Sequence, residues 1–158
     1  MLARLRRLAA KVSWAPPLIV RVVLGISFIL TGWGKLHHLD QVIGFFRELG
    51  IPAAEVQAPF VAGAEFIGGA LVLLGFGTRI AAALLAGVMT VAIATAIWPD
   101  AGWAEPIASW STVLGSIEAI YLATFLYLVV HGAGALSLDH LAARRFPALH
   151  IAHNQPQE

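Results

Sequence analysis

Four apolar runs dominate this chain, at about residues 17–35, 56–76, 80–97 and 113–134. Each is long enough, as a helix rising 1.5 Å per residue, to reach across a hydrocarbon core of roughly 30 Å. A chain built this way has few choices, because backbone N–H and C=O groups in lipid must be satisfied within the segment that carries them. The runs predict an all-α integral membrane protein, a four-transmembrane-helix bundle with a short amphipathic interfacial helix between helices 1 and 2. Composition agrees, since 59% of residues are hydrophobic and only 12% charged, well outside the range of soluble domains. Residues 1–145 read as a single membrane domain, and the polar, proline-bearing segment 146–158 as a disordered cytoplasmic tail. The first run follows basic residues as a signal peptide would. Its length, the presence of Arg21 and the lack of a small-x-small cleavage site before Lys35 predict a retained helix instead.

Orientation follows from the placement of lysine and arginine. Arg4, Arg6, Arg7, Lys11, Arg79, Arg144 and Arg145 flank one set of helix ends, against Lys35 and Arg47 on the other. Both termini are therefore expected in the cytoplasm, with residues 35–55 and 98–112 forming the outer loops. The first outer loop, HLDQVIGFFRELG, sets Val42, Ile43, Phe45, Phe46 and Leu49 on an amphipathic pattern ending at Gly50, which predicts a helix lying on the membrane. The second carries Trp98, Trp103 and Trp110 with Pro99 and Pro106, a composition suited to headgroup depth, where the rings serve as anchors.

Ionisable groups inside the spans are the informative residues, because each costs roughly 2.5 to 3.5 kcal/mol near the bilayer centre unless paired or hydrated. In the first span Arg21, Gly25, Phe28, Gly32 and Lys35 advance by four, three, four and three residues and so share one stripe. The two cations lie about 21 Å apart along the axis. The second span contributes Glu65, with Ala62, Gly69 and Val72 on its face and a small-xxx-small step at Ala64 and Gly68. The fourth contributes Glu118, Tyr121, Tyr127 and His131 and runs out through Gly132, Gly134 and Ser137 to Asp139. Arg21, Lys35, Glu65 and Glu118 are the candidate binding residues, lining a polar pocket or forming buried ion pairs. Depth pairs Lys35 with Glu118 and Arg21 with Asp139, and leaves Glu65 either meeting one of these cations or protonated in the core. The pairs serve helix register in one account and line a cavity for a headgroup, a quinone or a proton path in the other.

Several functions are excluded. With no cysteine, this polypeptide forms no disulfide, thiolate zinc site, iron–sulfur cluster or CxxC centre. Bis-histidine haem ligation would need a histidine at the depth of His131 in spans one to three, and none is present; His131 reads as a helix-terminal polar residue. No metal site is predicted, the tail histidines His150 and His153 included. The net charge of +1 provides no basic footprint for nucleic acid.

In four places, in order and at matching spacing, the chain resembles the DoxX family of small bacterial four-helix membrane proteins. They are RVVLGISFILTGWGKL (Arg21 to Leu36), ELGIP (Glu48 to Pro52), EFIGGALVLLGFGTRIAA (Glu65 to Ala82) and HGAGALSLDHL (His131 to Leu141). The resemblance implies an inner-membrane protein acting as an accessory or quinone-linked subunit of a membrane oxidoreductase system, since the family is named after subunits of a thiosulfate:quinone oxidoreductase. Its wider grouping of assembly factors and receptors implies the alternative, a non-enzymatic scaffold whose intramembrane charges are structural. The implied cofactor is a quinone or quinol. The expected partners are the lipid bilayer, a protein of a redox complex, and a second copy packed through the glycine faces. A small-molecule or lipid carrier ranks last, because no inverted repeat or broken helix is evident in the sequence.

Overall fold

The computed structural model describes residues 14–101 and 106–145, and among them every regular element is helical. Helix α1 (Ala15–His37) opens on Pro16 and Pro17, whose missing N–H groups cost nothing in a first turn. It ends where His38 leaves helical geometry at φ −127°. The short α2 (Leu39–Glu48) buries no residue completely and stops at Gly50, which takes φ +70°. Helix α3 (Ala54–Leu74) follows a left-handed Ala53 at φ +51°. It ends on Gly75 in the same region at φ +71°, with Gly75 N–H to Val72 O at 3.2 Å and Phe76 N–H to Leu71 O at 3.0 Å closing the last turn.

Helix α4 begins at Thr78 and is regular to Ala92, then widens into a π-helical turn over Ile93–Ile97. Pro99, just beyond, has no N–H to return to the carbonyl of Thr95. A four-residue helix α5 (Trp98–Ala101) ends this stretch, and α6 (Pro106–Gly115) begins the next. Helix α7 (Ile117–His131) is separated from α6 only by Ser116, which is extended (ψ 150°) and accepts Ala119 N–H on its hydroxyl at 3.2 Å. The two helices meet at 62°. The sequence predicts one continuous fourth span; the chain instead breaks it at Gly115–Ser116, where a flexible residue precedes a good N-cap. Helix α8 (Leu138–Arg145) closes the described chain.

Three helices, Ala15–His37, Ala54–Leu74 and Thr78–Ile97, are long and apolar enough to cross a membrane, and four if the bent pair counts as one span. Helices α1 and α3 pack backbone to backbone. A Cβ added to Gly69 would lie 2.8 Å from Ile29 N, and one added to Gly25 would lie 2.9 Å from Gly69 O. The small residues predicted as contact faces therefore fit this chain's own helices together. The core between helices holds Leu24, Phe28, Val72, Leu85, Phe125 and Leu128, with Phe28 edge-on to Phe125 and Tyr121 at 4.8 and 5.1 Å between centroids. The outside is apolar as well: Ile80, Val130, Leu114 and Leu30 stand exposed, the arrangement of helices facing lipid. Trp98 and Trp110 pack edge to face at 5.4 Å, while Trp103 and the 146–158 tail lie outside the described residues.

Candidate functional site

The predicted stripe of α1 is the buried one: Arg21, Gly25, Phe28 and Gly32 all face the interior, joined by Leu24. Its two cations end in unlike surroundings. Arg21 is 2% exposed and donates to backbone carbonyls only: Nε to Val72 O at 2.9 Å, Nη2 to Leu73 O at 2.8 Å, and Nη1 to Ala133 O and Leu136 O at 2.8 and 2.7 Å. Two of these carbonyls close α3, where the last C=O groups lack helical partners and the helix dipole is negative. The other two come from the turn between α7 and α8. The expected pair with Asp139 is not formed, because the Asp139 carboxylate serves a different helix end. Its Oδ1 accepts Gly77 N–H at 2.7 Å and its Oδ2 accepts Thr78 N–H at 3.1 Å, at the start of α4. Each charge thus meets a helix terminus of opposite sign. Asp139 is itself placed by Ser137, whose hydroxyl caps α8 by accepting His140 N–H at 3.1 Å, and by its own N–H on Gly75 O at 2.9 Å.

Lys35, fourteen residues along the same stripe, bonds Glu65 of α3 through Nζ–Oε1 at 2.6 Å. This is the alternative in which Glu65 meets a cation, and it corrects the pairing of Lys35 with Glu118. Glu65 comes from the helix in closest contact with α1, whereas Glu118 lies in the first turn of α7, beyond the break at Ser116. The pair is lopsided. Lys35 is 34% exposed and Glu65 2%, so the ammonium sits at an opening and the carboxylate inside. Glu65 Oε2 is buried and has no hydrogen-bond partner among the described residues, an exception to the rule that buried polar atoms are bonded.

Both residues line a cavity of about 750 Å³ that also takes in Glu118 and Tyr121 of α7. Three of the four predicted residues therefore share one space, and Arg21 lies outside it. Further polar lining comes from rows not among the predicted site residues: Ser27 and Thr31 precede Lys35 at four-residue steps on α1, and Gln57 precedes Glu65 by two such steps on α3, with the apolar Val61 between them. Phe45, Phe46 and Leu49 of α2, expected to face a membrane surface, form another wall. Thr95 and Ala96 place the π-helical turn of α4 against the same cavity, and such turns recur at functional sites. Its size suits a small organic ligand, and its lining combines apolar and aromatic walls with a few polar groups.

The family model described as DoxX matches residues 17–98, which cover α1 to α4 and so both halves of the Lys35–Glu65 pair. The chain is 32% identical over 124 residues to the Bacillus subtilis protein named "Putative oxidoreductase CatD", covering 77% of this chain and 83% of that one. It is 30% identical over 129 residues to the Escherichia coli inner membrane protein YqjF, covering 82% and 93%. A membrane protein of Mycobacterium tuberculosis is 30% identical over 141 residues, covering 84% and 86%. No solved structure matches the chain.

Proposed function

The chain belongs to the DoxX family of membrane proteins, and from that premise we propose that it serves as an accessory, quinone-linked subunit of a membrane oxidoreductase system. The observation that carries this reading is the cavity with a half-bonded carboxylate. A quinone is a flat ring bearing two oxygens on a long apolar tail, and it needs aromatic walls, polar groups at the ring oxygens and an apolar way out. Phe28, Phe45, Phe46, Phe60 and Tyr121 supply the walls, and Lys35, Glu65 and Glu118 the polar groups. The relative named as an oxidoreductase supports the class of system.

In this reading α6 and α7 together make the fourth span, α2 rests at the membrane surface, and residues 1–145 form one domain in the inner membrane of a bacterium. Both termini lie in the cytoplasm on the balance of lysine and arginine, so the cavity belongs to the outer half of the bundle. A protein partner exchanges electrons with the quinone in this reading, and the chain, which has no cysteine, supplies no thiol or iron–sulfur carrier of its own. The scaffold alternative is favoured by one observation, the clamp at Arg21, whose guanidinium is consumed by backbone carbonyls. We assign that residue to holding the bundle and the cavity to binding, so that the two readings divide the molecule between them.

Gly87 gives the test. It lines the cavity, and a Cβ there meets nothing within 4 Å, so Gly87→Trp fills the space while leaving Lys35 and Glu65 untouched. Protein purified from bacterial membranes in nanodiscs should carry membrane quinone in about stoichiometric amount by extraction and chromatography, and the variant should carry almost none at an unchanged melting temperature. Equal, trace quinone in both would refute the reading.

A further inference from the structure

Resting on the quinone site just described, we infer that the cavity selects the reduced ligand, a quinol, over the quinone, through a ligand hydroxyl donated to Glu65 Oε2. The two forms differ in hydrogen-bond polarity: a quinone carbonyl only accepts, and a quinol hydroxyl donates as well. The cavity is matched to a donor. In its pair with the Lys35 ammonium the Glu65 carboxylate accepts only. One of its oxygens is already bonded, and the other is buried without a partner. Glu118, the second carboxylate on the lining, is likewise an acceptor when ionised. Protein donors on the lining, the Tyr121 hydroxyl and the further N–H groups of Lys35 among them, leave Glu65 Oε2 unmet among the described residues, and the Thr31 hydroxyl gives its hydrogen to the carbonyls of Ser27 and Phe28 at 3.0 and 3.2 Å.

A quinone ring oxygen against the buried Glu65 Oε2 would oppose two sets of lone pairs. Leaving a buried acceptor unmet costs more than the bond itself returns. A quinol meets it with a charge-assisted O–H···O bond, the shorter and stronger kind. The ring then lies between the Phe28 and Tyr121 side and the aromatic residues of α2, and the tail leaves along the apolar lining toward Leu84 and Val91.

The test titrates the full-length protein with a decyl-substituted 1,4-benzoquinol and the matching benzoquinone, under anaerobic conditions. Nanodiscs of phosphatidylcholine are used because that headgroup has no N–H or O–H donor to compete for Glu65. The unaltered protein should bind the quinol about tenfold more tightly or better, the worth of one hydrogen bond to a charged group. In Glu65→Gln the amide brings a donor to the same place, and the preference should vanish or invert. Equal affinity of the unaltered protein for both forms, with binding still abolished by Gly87→Trp, would overturn the quinol assignment and leave the quinone site standing. Binding of neither form would overturn both. A preference that survives Glu65→Gln undiminished would remove Glu65 from the assignment, and if that variant fails to accumulate the ratio in the unaltered protein decides.

Discussion

Arg21 and Glu65 are each 2% exposed, on helices that pack backbone to backbone, yet the first is bonded to four carbonyls and the second keeps an oxygen with no partner among the described residues. At the Arg21 end both charges are fully met, although the Thr78 hydroxyl at the start of α4 is buried without a partner among the described residues. Arginine closes α3 and ties it to the turn after α7, Asp139 opens α4, and Ser137 opens α8. The carbonyls that meet Arg21 come together only when the chain is folded, so the charge acts as a fastener. At the Glu65 end the helices part around a cavity, and the charge is met on one side only. Burial alone therefore does not single out a candidate site; here a buried atom left without a partner beside a cavity does. Helix α3 joins the two ends, with Glu65 in its middle and the Arg21 partners at its last turn, so the fastener fixes the element on which the proposed site depends.

The contrast breaks most readily at Arg21. Arg21→Ala leaves four carbonyls without donors, two of them in fully buried bonds, and should cost about 3 to 5 kcal/mol, at about 1 to 3 kcal/mol for each buried group left unsatisfied. Thermal unfolding in detergent should show the largest drop of any single change proposed, with little folded protein recovered. A variant that melts like the unaltered protein would mean that the carbonyls find other donors, and the division into fastener and receptor would fall. A smaller effect is expected at Gly75, which combines φ +71° with a Cβ position 2.6 Å from the Arg21 Cζ. Gly75→Ala should cost about 1 to 2 kcal/mol for the left-handed backbone and more for the contact. The part of the contact made with Arg21 should disappear in the Arg21→Ala background while that with Ser137 Cβ at 2.7 Å stays, so the two changes should combine to less than their sum.

Much of this was legible in the chain, and the failures share a cause. The α1 stripe and the α3 face of Ala62, Glu65, Gly69 and Val72 were predicted from 3.6-residue periodicity and are the buried faces. Periodicity is local, which is why it succeeded. The partners of the charges were assigned from depth, on the assumption that side chains pair with side chains and that the fourth run is one straight helix. The first assumption is met only by Lys35 and Glu65, because Arg21 and Asp139 bond backbone groups at helix ends, and the second is not met, because the fourth run bends by 62° at Ser116. A carbonyl carries no mark in a sequence. The break did leave a trace, since Gly115-Ser116 is a turn residue followed by an N-cap, hidden by the apolar residues around it. The cavity itself left only the polar row Ser27–Thr31–Lys35 on α1 and, on α3, Gln57 and Glu65 two four-residue steps apart with Val61 between them.

The smallest effect is expected where the receptor end meets water. Arg47 of α2 pairs with Glu55 in the first turn of α3, and both side chains are more than half exposed. Exposed pairs contribute little to stability and are screened by salt, so Arg47→Ala should leave the melting temperature unchanged within error. The pair nonetheless links the helix that carries Phe45 and Phe46, a wall of the cavity, to the helix that carries Glu65. If that wall helps retain ligand, Arg47→Ala should speed quinol release from nanodiscs a few-fold with stability intact. Exchanging the charges, Arg47→Glu with Glu55→Arg, should restore the slower release, and high salt should make the unaltered protein behave like the variant. Release that ignores all three changes would show α2 to be held by its aromatic contacts alone. A loss of stability would instead make α2 part of the fastening, and the two ends of the bundle would be less distinct than their hydrogen bonds imply.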